Sequence, residues 1–151
     1  MCPDELLNAL PRFTPEKALS EMNGVTLAFV GDAVYELLVR DRVLSACSGR
    51  VNALHEKTVA FSNAAFQSAA AKRLLPLLTE DEAAVFMRGR NAHTAHTPKN
   101  KTRAEYHLAT ALEAVFGYLY IVRRTDRICA LFQKITEFYE ERDVQNEETA
   151  T

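Results

Sequence analysis

Apolar residues recur every three or four positions along most of this chain, and nowhere alternate with polar ones for long enough to make a convincing strand. That pattern predicts helices nearly throughout. Thr14-Pro15 pairs a capping residue with a proline suited to a first turn, and so starts a helix. Further helices are expected from about Gly24 to Ser45 and from about Val51 to Leu74. The second carries Leu54, Val59, Phe61 and Phe66 and is stopped by Pro76. Thr79–Glu82, reading TEDE, is a capping box that opens a shorter helix to about Arg88. Thr102–Glu105, reading TRAE, opens another, to about Val122. A last helix, from about Asp126 to Arg142, carries Ile128, Leu131, Phe132, Ile135 and Phe138 at core spacing.

Two of these helices hold an acid in apolar company. On a wheel of about 100° per residue, Leu27, Val30, Val34 and Leu38 make one stripe of LAFVGDAVYELLV, residues 27–39. Asp32 and Glu36 lie nearly opposite, one turn apart, flanked by Ala28, Phe29, Ala33 and Val39. A helix apolar on nearly every side is expected to be buried, which puts Asp32 in a cleft or an interface. Gly31 costs roughly 1 kcal/mol in a helix interior, a cost that makes sense if another backbone or a ligand must come close. In LATALEAVFGYLYIV, residues 108–122, Glu113 is the only group charged at neutral pH, and Gly117 follows one turn later.

Two explanations are open. Each acid can be paired within the fold: Arg40 and Arg42 are within helical reach of Glu36. Alternatively, Asp32 and Glu113 face the same cation. Magnesium takes oxygen ligands and commonly uses one or two carboxylates with waters and substrate phosphate. Glu36 is better read as the partner of Arg40, or as a group supporting the metal ligands from behind, than as a ligand itself.

Composition narrows the picture. At 151 residues, 48% hydrophobic and 25% charged, the chain suits one soluble all-α domain. That domain is expected over residues 1–142, with 143–151 as a polar, disordered tail. The start MCPDELLNAL lacks a secretory pattern and no run is apolar enough to span a membrane, so a cytoplasmic protein is expected. The three cysteines, Cys2, Cys47 and Cys129, are too scattered for a disulfide framework or a zinc site. Motifs of P-loops, dinucleotide folds, serine hydrolases and zinc proteases are missing.

A net charge of −2 argues against a protein that coats nucleic acid, but its distribution is uneven. RGRNAHTAHTPKNKTR, residues 88–103, contains no acid. Arg88, Arg90, Asn91, Lys99, Asn100 and Lys101 are candidate phosphate contacts there, the bland alternative being a solvated connector. His93 and His96 lack further ligands and are not read as a zinc site. Tyr106, Tyr118 and Tyr120 are read as core or interface residues.

The motifs GDAVYE, RGRNA, PKN and TALEAVFGY, in this order, resemble the ribonuclease III catalytic domain, and in particular its short form, Mini-ribonuclease III. The similarity runs from about Asn23 to Arg123. It implies the all-helical endonuclease-domain bundle of that family, acting as a homodimer with Phe29 at the contact. It also implies Mg2+-dependent cleavage of double-stranded RNA, with Mn2+ as a possible substitute, leaving 5′-phosphate ends. The short form is associated with maturing the ends of 23S ribosomal RNA precursor, and a ribosomal-protein helper is possible. The signature acids fall on Asp32 and Glu113. The full-length pattern has two further acids, where this chain has Ala28 and Thr110, and the short form resembles this chain in that loss. The segment after Arg123 is too short for an appended double-stranded-RNA-binding domain, so affinity would come from the catalytic dimer and its basic loops. The alternative reading is an inactive RNA-binding or ribosome-associated module of the same fold.

Overall fold

The computed structural model describes residues 13–92 and 102–150. Among them the regular elements are all helical: α1 (Pro15–Glu21), α2 (Gly24–Ala46), α3 (Val51–Ser62), α4 (Ala64–Leu74), a single 3-10 turn (Leu75–Leu77), α5 (Glu80–Arg90), α6 (Arg103–Ile121) and α7 (Thr125–Thr149). None is long and apolar enough to cross a membrane among the described residues.

The caps form largely as the sequence implies. The Thr14 hydroxyl accepts from the Lys17 amide, with Pro15 in the first turn of α1. At Thr79 both halves of the capping box are present. Thr102 accepts from the Glu105 amide at 3.2 Å. Two boundaries differ from expectation. The helix expected over 51–74 is broken at Asn63, which adopts an extended backbone between α3 and α4. Its amide nitrogen donates to the carbonyls of Val59 and Ala60, while its oxygen accepts from the Phe66 amide at 2.8 Å. One side chain thus closes a helix and opens the next. The last helix runs on to Thr149, past the expected end at Arg142. Residues 143–149 contain no glycine or proline to stop it.

Helix α6 is the axis of the molecule. It packs on α2, α4, α5 and α7, while α3 lies on α2. Ala111, Leu112, Ala114, Val115, Phe116 and Leu119 are all fully enclosed, so its all-round apolar sequence matches its all-round burial. The other half of the core comes from Leu27, Tyr35 and Val39 of α2, Leu74 of α4, Val85 and Phe86 of α5, and Leu131 and Ile135 of α7. Tyr35 makes edge contacts with Phe116 and Phe132, joining three helices at one ring.

Helix α2 is different. It buries Leu27, Ala28, Gly31, Tyr35, Val39 and Val43 against α6 and α3. Its opposite side leaves Phe29 81% exposed and Leu37 69% exposed. The expectation of a helix enclosed on all sides is met by α6 and not by α2. Apolarity alone cannot distinguish a face covered by the chain's own fold from one left outside it.

Candidate active site

Helices α2 and α6 meet with almost nothing between their backbones. A β-carbon added at Gly31 would lie 1.6 Å from the carbonyl oxygen of Glu113, and one at Gly117 would lie 1.9 Å from the carbonyl oxygen of Leu27. Any side chain at either position would force the helices apart. The pairs Leu27–Gly117 and Gly31–Glu113 run in opposite senses along the two helices, so the crossing is antiparallel. Asp32 is the next residue after Gly31. Glycine therefore brings the chain right beside Asp32 against the backbone of Glu113.

The side chains at this crossing are not the deeply buried acids that the apolar flanks suggest. Asp32 is exposed and Glu113 is half-buried. Asp32 lines a groove of about 740 Å³ with Phe29, Ala33, Glu36, Leu37 and Tyr120. The groove is mostly apolar because it follows the uncovered side of α2. Glu36 is held by Arg40, whose Nε donates to its Oε1 at 2.8 Å, the pairing that the helical spacing allows. On the inner side, the Gln67 side-chain amide of α4 donates to Glu113 Oε1 at 3.3 Å. Burial, reinforced by the nearby Glu113 and Glu36 carboxylates, pushes the Tyr35 hydroxyl well above the usual tyrosine range. That hydroxyl stays neutral and donates to the Phe61 carbonyl at 2.8 Å.

This donor set suits a hard cation. The two helices bring carboxylate oxygens to the crossing, and the Gln67 amide nitrogen donates to one of them. No cluster of three or more His, Cys, Asp and Glu side chains able to hold a metal occurs among the described residues. A zinc site needs three or four protein ligands. Magnesium is commonly held by one or two carboxylates and keeps several waters. Asp32 and Glu113 fit that pattern.

Of the basic segment, Arg88, Arg90 and Asn91 are described, whereas Lys99, Asn100, Lys101, His93 and His96 lie outside the described residues. Arg90 and Asn91 are exposed at the end of α5. Arg88 is exposed as well, and its guanidinium lies along the surface and donates to the carbonyls of Leu19 and Met22, where α1 ends and the chain enters α2. This tie supplies partners for carbonyls at a helix end and gives Arg88 a structural role within the chain. The positions that lack the family's further acids are enclosed. Ala28 is buried, and the hydroxyl of buried Thr110 donates to the Tyr106 carbonyl of its own helix.

Two features lie beyond sequence reasoning. Gln67 carried no signal, being one of several polar residues in an alanine-rich helix. The enclosed carboxylate among the described residues is Glu82, 3% exposed, which receives Arg127 through both Nε and Nη2 at 2.9–3.1 Å. Its capping role at Thr79 is legible locally, but its partner stands on α7 and is not.

Among the described residues the fold is an all-helical bundle whose central antiparallel crossing carries one acid from each helix, and comparison with known proteins places this architecture in the ribonuclease III class. Residues 25–124 match the Ribonuclease III domain. The chain belongs to the ribonuclease III family, a family of endoribonucleases. It is 38% identical to the Mini-ribonuclease 3 of Clostridium tetani over 130 residues, covering 85% of each chain. With the Mini-ribonuclease 3 of Symbiobacterium thermophilum it shares 41% identity, over 77% of this chain and 89% of the relative. A protein of Fusobacterium nucleatum solved by X-ray crystallography superimposes with a TM-score of 0.75 at 30% identity, over 80% of this chain and 98% of that one.

Proposed function

We propose that this protein is a Mg2+-dependent endoribonuclease that cuts double-stranded RNA as a homodimer, with the ends of 23S ribosomal RNA precursor as its substrate. The observation that carries the reading is the Gly31–Glu113 contact, which sets Asp32 and Glu113 at one helix crossing. Asp32 and Glu113 would hold the ion, with Mn2+ able to replace it. When bound, magnesium supplies positive charge to the scissile phosphate and activates a water. Gln67 and Arg40 fix the neighbouring carboxylates Glu113 and Glu36. Arg90 and Asn91, with Lys99, Asn100 and Lys101 of the following loop, grip the phosphates, since A-form RNA is recognised mainly through shape, phosphates and 2′-hydroxyls. Arg88, tied to α1, contributes by anchoring the start of this segment as well as by its charge. Phe29 and Leu37 supply the apolar contact between copies, and two copies present one site to each strand.

The test is incubation with long double-stranded RNA in magnesium or in chelator. Asp32→Asn and Glu113→Gln are expected to abolish cleavage while folding and RNA binding persist, because Asp32 is exposed and glutamine at 113 keeps an oxygen for the Gln67 amide. Near-normal cutting by either variant would remove that residue from the site. A second reading, an inactive RNA-binding module, is favoured by Ala28 and Thr110 standing where the family has acids. Magnesium-dependent fragments from the wild-type protein exclude it.

A further inference from the structure

Gln67 is 4% exposed, in the first turn of α4, among Phe66, Ala70, Ala71 and Leu74. A glutamine there gives up more side-chain entropy than a leucine and must desolvate its amide, so an apolar residue would serve the core better. Its side-chain amide instead reaches Glu113, at 3.3 Å. The direction of that contact is fixed from below: the Gln67 backbone amide donates to the Asn63 carbonyl at 3.0 Å, and Asn63 caps the turn through the Phe66 amide. From these contacts we infer that Gln67 is a positioning residue for the reaction. Its amide holds one oxygen of Glu113 toward the core and so sets the carboxylate's rotamer before the cation arrives.

The inference rests on the proposed metal-dependent nuclease. A neutral donor suits the task. A lysine or arginine in the same place would neutralise Glu113 and compete with the cation, whereas an amide orients the carboxylate and leaves its charge in place. Groups that orient metal-binding carboxylates typically change metal affinity by about 10- to 100-fold when removed.

The experiment measures Mn2+ binding calorimetrically on RNA-free protein, followed by the magnesium dependence of cleavage. Gln67→Met keeps length and volume but lacks the donor. It is expected to bind Mn2+ about 10-fold or more weakly. Half-maximal cleavage should need correspondingly more magnesium, while the rate at saturating magnesium stays close to wild type. A residue that only fills the core would move the melting temperature and leave ion affinity alone. Gln67→Asn, which keeps the amide but is one methylene too short to reach, should behave like Gln67→Met and carries the test if the methionine variant does not fold. Wild-type Mn2+ affinity in a folded variant of either kind overturns the assignment of Gln67. Failure of the wild-type protein itself to bind Mn2+ overturns the nuclease reading and this inference with it.

Discussion

Tyr35 concentrates most of what a single residue does in this fold. Its ring joins α2, α6 and α7, its hydroxyl reaches α3, and its titration is suppressed by burial and by two carboxylates. The hydroxyl's pKa is raised in the folded state. Its contribution to stability is therefore complete below the unfolded tyrosine value of about 10, and is lost as pH rises beyond it. Chemical denaturation across pH 8 to 11 should show stability falling from about pH 10 upward. Tyr35→Phe should weaken that alkaline loss and cost about 1–2 kcal/mol at neutral pH, since the Phe61 carbonyl loses its buried donor. Of the candidate site residues, Asp32 and Glu113 stood out by their apolar surroundings, and the Glu36–Arg40 pair was legible from its spacing. Their burial was not, because a wheel records which neighbours are apolar and not which of them the fold covers.

At the scale of elements, six of the seven described helices begin within a residue or so of the expected place. The strongest signals were capping residues, whose hydrogen bonds are local and therefore written in short stretches. The seventh, α4, was hidden because the break at Asn63 depends on one side chain bonding in both directions, with no glycine or proline to mark it. The turn from α6 to α7 is similarly silent. Its left-handed residue is Arg123, at φ 62°, where a glycine would have announced it. The crossing of α2 and α6 was foreshadowed by Gly31 and Gly117, though not its antiparallel sense. Gly31→Ala should therefore be far more costly than an ordinary helix substitution. A methyl group meeting the Glu113 carbonyl must push the helices apart, costing about 3 kcal/mol or more. Thermal unfolding reads the loss directly, and cleavage should fall further than stability alone explains, since the two acids separate with their helices.

Over the whole molecule, the described surface of the protomer leaves a row of large apolar side chains on α2 without cover. Phe29 is the most exposed of them. Phe29 touches little within its own chain, so in the proposed homodimer Phe29→Arg should leave the melting temperature nearly unchanged and shift sedimentation from dimer to monomer. A variant that still sediments as the wild type does would move the contact elsewhere. The ion pair of Glu82 with Arg127 works in the opposite direction, tying the start of α5 to α7 inside one copy. The resemblance pointed to Phe29, but the extent of the open face needed the fold, and the Glu82–Arg127 pair joins residues far apart in the chain.

Backbone touching backbone at Gly31 and Gly117 has a lasting effect on how this domain can change. Where two helices are spaced by interlocking side chains, every substitution among those side chains resets the gap between them. Here the gap is fixed by peptide groups, which all sequences share. The apolar residues around the crossing are thus free to drift over generations while the separation of the two acids stays constant. Only the glycines themselves are denied that freedom.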